Sequence, residues 1–123
     1  MQIKSYQQWE LKEKLPPRQD ESNKGDYGKL LVIAGSHNMC GAAYLAAKAA
    51  YRSGTGLVYI YTEECNRIIL QELLPEAVLY TYTSDHWEEE QLSEILKGKT
   101  AVAIGPGMGQ SVCAGKITQA VLS

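Results

Sequence analysis

The sequence predicts an α/β domain with a mostly parallel sheet and helices on both faces. Three observations point there. Strand-like and helix-like segments alternate from residue 29 onward, the pattern of parallel strands joined by helical crossovers. The first strand-like segment is a continuous apolar run rather than an alternating one, as expected of a strand covered on both sides. Two strand-like segments end in glycine-rich turns, Gly35-Ser36 and Gly105-Pro106-Gly107-Met108-Gly109, where an open α/β sheet can offer bare backbone to a small molecule.

Residues 1–28 read as a polar lead-in. A short helix is expected over 7–15, stopped by Pro16-Pro17, and Gly25 and Gly28 punctuate the loop that follows. The first strand is expected over 29–34. A helix follows over 41–53, with Ala43, Ala46, Ala47 and Ala50 on one stripe and Lys48 and Arg52 facing elsewhere. Gly54 sits where a helix C-cap glycine belongs. The run Leu57-Val58-Tyr59-Ile60-Tyr61 is rich in β-formers and gives the second strand. A helix over 65–74 is ended by Pro75, and a third strand covers 77–83. Ser84 or Asp85 is expected to cap a helix reaching residue 96. With Asp85 as cap, Glu88 falls at the capping-box position. The fourth strand covers 100–104 and the last helix 112–122. No strand-like segment follows that helix, so the fourth strand is expected to leave an open, hydrophobic edge.

Composition narrows the partners. The chain has 123 residues, 45% apolar and 21% charged, ordinary for one globular domain with its own core. A net charge of −2 with scattered basic residues argues against nucleic acid as a partner. The longest apolar run is about half a membrane span, and the first ten residues are too polar for a signal peptide. Cys40, Cys65 and Cys113 are odd in number and far apart, with no CxxC pair. That suits reduced thiols in the cytoplasm better than a disulfide framework or a zinc site.

The candidate motifs each carry two readings. A strand leading through Gly35 and Ser36 to a helix beginning near Gly41 offers unpaired N–H groups and the positive end of a helix dipole to an anionic group; it is equally a plain strand-to-helix connection. The alanine-rich helix leaves room for a flat ligand over its first turn, or is the centre of a tight core. Gly105 to Gly109 permits close approach of backbone to a ligand, or is an ordinary glycine turn. It is not the GxGxxG dinucleotide fingerprint, and Gly115-Lys116-Ile117 is not a P-loop. Lys24 to Gly28 reads as a surface loop or a lid. His37, in the first glycine turn, touches a ligand or is solvated; without a second ligand nearby it makes a poor metal site. Glu88-Glu89-Glu90 reads as a solvated helix start, and Cys40 as structural.

Taken together, Leu15-Pro16-Pro17-Arg18, Ser22-Asn23-Lys24-Gly25-Asp26-Tyr27-Gly28, Val32-Ile33-Ala34-Gly35-Ser36, Met39, Gly41-Ala42-Ala43, Leu45-Ala46, Ala49-Ala50, Arg52-Ser53-Gly54, Gly56-Leu57-Val58 and Ile104-Gly105-Pro106-Gly107-Met108-Gly109 resemble the ADP/ATP-dependent NAD(P)H-hydrate dehydratase family. The resemblance runs from about residue 15 to the end. One departure is Asn23, where the family usually carries histidine before Lys-Gly.

The resemblance implies a ribokinase-like fold, with residues 29–123 as its N-terminal half and the C-terminal half absent. It implies a repair lyase that dehydrates (6S)-NAD(P)HX to NAD(P)H at the expense of ADP or ATP: the nucleotide phosphorylates the hydroxyl, and phosphate then leaves. Mg2+ assists that transfer in the complete enzyme. It implies Ala42, Ala43, Gly105 and Gly107 as substrate contacts, with Gly35, Ser36 and Asn38 shaping the same wall. The catalytic base is expected beyond Ser123, no residue of this chain is assigned as catalytic or metal-binding, and the chain alone is expected to be inactive. A homo-oligomer, commonly a tetramer, is implied, with neither membrane nor nucleic acid as partner. Two other functions share these features. A ribokinase-like kinase of a sugar or vitamin alcohol would retain its phosphate ester where a lyase releases water. A non-catalytic nucleotide-binding module would bind ADP tightly through these turns alone.

Overall fold

Lys29–Ile33 forms β1, and its apolar side chains divide between two cores: Leu31 and Ile33 point to one, Leu30 and Val32 to the other. This is why the run is apolar throughout rather than alternating. The computed structural model describes residues 5, 7, 8 and 27–123. The expected lead-in, its 7–15 helix and most of the Lys24-to-Gly28 loop lie outside the described residues.

Helix α1 is Cys40–Arg52, β2 is Leu57–Glu63, and a 3-10 turn over Glu64–Asn66 leads into α2, Arg67–Leu73. Then come β3 (Val78–Tyr82), α3 (Glu89–Leu96), β4 (Ala101–Ile104) and α4 (Val112–Leu122). The sheet order is β3-β2-β1-β4, and every neighbouring pair is parallel. The ribokinase-like α/β class expected from sequence is what forms. Among the described residues β4 is an edge, and Ala101 and Val102 on it are exposed, as expected.

One core lies under α1 and α2, where Ala43, Ala47 and Ala50 meet Val32, Val58, Ile60 and Leu70. Small side chains let α1 lie close to the strands. The other core lies under α3 and α4, where Leu92, Ile95, Cys113 and Ile117 meet Leu31, Ile33, Tyr61 and Tyr82. Helix α1 ends as predicted at Gly54, which adopts φ +100°. The Gly54 N–H donates to Tyr51 O and the Thr55 N–H to Ala50 O, both at 3.1 Å, the paired bonds of a Schellman cap. At the start of α4, Ser111 Oγ accepts from the Ala114 N–H at 3.0 Å, an N-cap bond.

The start of α3 corrects the sequence reading. Neither Ser84 nor Asp85 caps it, and no capping box forms with Glu88. Thr83 and His86 exchange backbone hydrogen bonds of 3.2 and 3.0 Å, which makes Ser84-Asp85 the middle of a tight turn. The helix begins only at Glu89, after an extended Glu88 that makes no side-chain cap bond. Pairing across the turn holds Ser84 and Asp85 outside the helix. Among the described residues no helix is long and apolar enough to cross a membrane.

Candidate functional site

The chain leaves β1 for α1 on one face of the sheet and leaves β4 for α4 on the other. Strands β1 and β4 are neighbours, so their exits diverge. A pair of adjacent parallel strands whose connections part in this way is the topological switch point, and the crevice at its carboxyl end is where open α/β sheets bind ligands. Both glycine turns predicted from sequence fall at that one place.

The turns are bonded to each other. The Gly35 N–H donates to Pro106 O at 2.8 Å and the Gly105 N–H to Ile33 O at 3.1 Å. Ser36 Oγ donates to Gly107 O at 2.7 Å. Contact is also close enough to require glycine. Gly107 has φ +67°, and a Cβ there would sit 2.5 Å from the Ala42 Cβ and 3.4 Å from Met39 O. Gly35 has φ +80°, and its Cβ would meet Thr62 Oγ1 at 2.9 Å. Glycine at 107 is what allows the first turn of α1 to lie against the β4 turn, and glycine at 35 leaves room for Thr62 and Asn66.

The seven residues suggested for the site therefore gather at one end of the sheet, in different settings. Gly105 is exposed, with open space where its side chain would be. Gly107, Ser36 and Ala42 are half-buried, and Asn38 is exposed with a left-handed φ of 67°. Ala43 and Gly35 are buried, Ala43 fully. His37 is exposed in the same turn. Helix α1 starts without a side-chain cap at Met39, so its first amides are not taken by a capping side chain.

Asn66 was not foreseen as part of this region. It is 3% exposed, and its Nδ2 donates to Ser36 O at 3.2 Å and to Thr62 Oγ1 at 3.1 Å. Thr62 is fully buried beside it. Nothing in Glu63-Glu64-Cys65-Asn66-Arg67 marks the asparagine as different from its polar neighbours.

Several clefts open on the surface. One of about 450 Å³ lies past β3 and is lined by Glu64, Thr81, Thr83, His86, Glu88 and Gln91. There the Arg67 guanidinium grips Glu64 through 2.9 and 3.1 Å bonds, and with the Thr81 hydroxyl it holds that carboxyl below its ordinary range. Glu64 and Thr81 are thus engaged with Arg67 and with each other, which leaves the glycine crevice as the better candidate. Another cleft, about 380 Å³, adjoins the crevice and runs from Gly105 and Gly109 along α4 past Ala114 and Thr118. Among the described residues no three His, Cys, Asp or Glu side chains come together to hold a metal ion.

A family model described as NAD(P)H-hydrate dehydratase matches residues 30–123. An ADP-dependent (S)-NAD(P)H-hydrate dehydratase of Listeria monocytogenes is 38% identical over 108 residues, covering 88% of this chain and 38% of that protein. A crystal structure of the ADP/ATP-dependent NAD(P)H-hydrate dehydratase of Bacillus subtilis, co-crystallised with ATP/Mg2+, superimposes with a TM-score of 0.73 at 36% identity, covering 88% of this chain and 38% of that one. A ribokinase-like superfamily protein of Enterococcus faecalis superimposes with a TM-score of 0.80 at 26% identity, covering 98% and 44%. The chain thus spans well under half the length of these proteins.

Proposed function

The chain belongs to the NAD(P)H-hydrate dehydratase family, and from that premise we propose that its paired glycine turns form the substrate wall of a cofactor-repair lyase. In a polypeptide of the relatives' length, with residues 29–123 as the N-terminal half of the domain, that site dehydrates (6S)-NAD(P)HX to NAD(P)H at the expense of ADP or ATP.

The observation that carries this reading is the Gly35-to-Pro106 bond at the switch point of the sheet. It makes one surface of two turns. Gly105, with open space where its side chain would be, lets the hydrated nicotinamide ring approach the main chain, and Gly107 brings the β4 turn against Ala42. Ala42 supplies a wall one methyl group deep. The uncapped amides at the start of α1 orient an oxygen of the cofactor, where the helix dipole favours negative charge. Gly35, Ser36 and Asn38 shape the adjoining turn, and the buried Ala43 supports it from below. The nucleotide supplies the phosphate that turns the hydroxyl into a leaving group. Mg2+ accompanies the nucleotide, whose phosphates supply much of such an ion's coordination.

We also assign the protein to the cytoplasm, in keeping with free thiols at Cys40, Cys65 and Cys113, and to a homo-oligomer, commonly a tetramer, which light scattering on a full-length version tests. Calorimetric titration of the chain with (6S)-NADH hydrate, NADH and ADP in turn tests the site. Saturable binding of the hydrate is expected. Tight binding of ADP with none of the hydrate would contradict the reading and favour a nucleotide-binding module.

A further inference from the structure

Thr62 and Asn66 are the buried polar side chains among the described residues. A buried polar group is costly unless it is hydrogen-bonded, and here the bonds lead toward the candidate site. Asn66 Nδ2 has two protons and two acceptors within reach, Thr62 Oγ1 at 3.1 Å and Ser36 O at 3.2 Å. Cys65 Sγ donates to Asn66 Oδ1 at 3.7 Å. Ser36 O also accepts from the Met39 N–H at 2.9 Å, so Asn66 holds the oxygen around which the chain turns into α1. From the same residue, Ser36 Oγ reaches Gly107 O at 2.7 Å. A path of hydrogen bonds therefore crosses from the end of β2 to the turn after β1 and on to the turn after β4.

We propose that Asn66 is a positioning residue for the substrate wall: it touches no ligand, but through Ser36 it fixes the first glycine turn against the second and so sets the affinity of the site. This role rests on the reading of the turns as the cofactor's wall. Its chemistry is specific. An aspartate has the same size but no N–H to give, so it would face the Ser36 carbonyl with a second acceptor. A hydrophobic residue of similar volume would leave that carbonyl with the Met39 amide alone.

The test uses the full chain with Asn66→Ala, Asn66→Asp, Ser36→Ala and the Asn66→Ala/Ser36→Ala double variant. Two readouts are taken well below the melting temperature: amide shifts and hydrogen exchange at Gly35 and Gly107, and the Kd for (6S)-NADH hydrate. Both Asn66 variants are expected to speed exchange of the Gly35 N–H and to shift the Gly107 amide, which Asn66 does not contact, while the distant Gly98 amide stays in place. The Kd is expected to rise roughly tenfold. The double variant should be little weaker than the worse single one, because both interrupt the same path. A lower melting temperature with unchanged Kd and unchanged Gly35 and Gly107 amides would mean that Asn66 is merely structural, and would overturn the proposal. Should the wild-type chain bind no hydrate, the substrate-wall reading fails, and the coupling of the turns stands or falls on the two amides alone. Should Asn66→Ala and Asn66→Asp fail to fold, Asn66→Ser, whose shorter side chain keeps a donor but does not reach the Ser36 carbonyl, carries the same readouts with the same decision.

Discussion

Replacing Gly107 with alanine tests the contact between the two turns, and its cost can be worked from the structure in two parts. The first is conformational. At φ +67° an alanine is in the left-handed region, which costs roughly 1–2 kcal/mol. The second is steric. The new Cβ would lie 2.5 Å from the Ala42 Cβ, so the start of α1 and the β4 turn must separate, at a cost of about 1–3 kcal/mol by analogy with overpacked cores. The total is about 2–5 kcal/mol, read by urea unfolding at neutral pH. The two parts can be separated. Ala42→Gly by itself should cost about 0.5–1 kcal/mol as a helical glycine, yet in the Gly107→Ala background it should restore most of the steric part. A double-mutant cycle is then expected to show a favourable coupling of about 1–3 kcal/mol. Strictly additive losses would refute the claim that α1 and the β4 turn meet at these two residues.

Other outcomes follow from single groups. The Tyr61 hydroxyl is buried with no hydrogen-bond partner, so Tyr61→Phe should raise stability by about 1 kcal/mol or more at neutral pH. Burial, with Cys113 adding, pushes the Tyr61 phenol up to about 12 from 10.0. The folded chain thus holds its proton after the unfolded chain has lost it, and between those values Tyr61 should cost the wild type about 1.4 kcal/mol of stability per pH unit. Denaturant melts at pH 9 to 11 should show Tyr61→Phe lacking that loss. Ser111→Ala removes the cap on the Ala114 N–H and should cost about 1 kcal/mol, measured by thermal unfolding. Gly54→Ala forces alanine to φ +100° and should cost about 1–2 kcal/mol, concentrated as faster hydrogen exchange in the last turn of α1.

Local chemistry made most of the fold legible. β-branched and aromatic runs gave the strands, and the alanine stripe gave α1. Gly54 gave its end to the residue, because a left-handed cap has few alternatives to glycine. The second strand runs two residues past its apolar stretch, to Glu63, because pairing with Thr81 and Tyr82 of β3 extends it. No composition rule sees that pairing. The false cap at Asp85 has a similar origin, since Thr83 and His86 close a turn that keeps Asp85 short of the helix, which starts at Glu89. For the site, glycine marked both turns, because bare backbone leaves a sequence signal. Their union did not show: Ser36 and Gly107 are 71 residues apart, and only the strand order makes them neighbours. Asn66 left no signal at all. A buried asparagine in a polar stretch is distinguished by its partners, Thr62 at the end of β2 and the Ser36 carbonyl in the turn after β1, and the second of these is 30 residues away.

The central claim is that the turns after β1 and β4 act as one surface for a hydrated nicotinamide cofactor. A 15N–1H titration of the chain with (6S)-NADH hydrate tests it most directly. The amides of Gly35, Ser36, Ala42, Gly105 and Gly107 are expected to move together along a single saturation curve, while those lining the cleft past β3, such as Thr83 and Gln91, remain still. Perturbation confined to one turn, or centred on the β3 cleft, would contradict it.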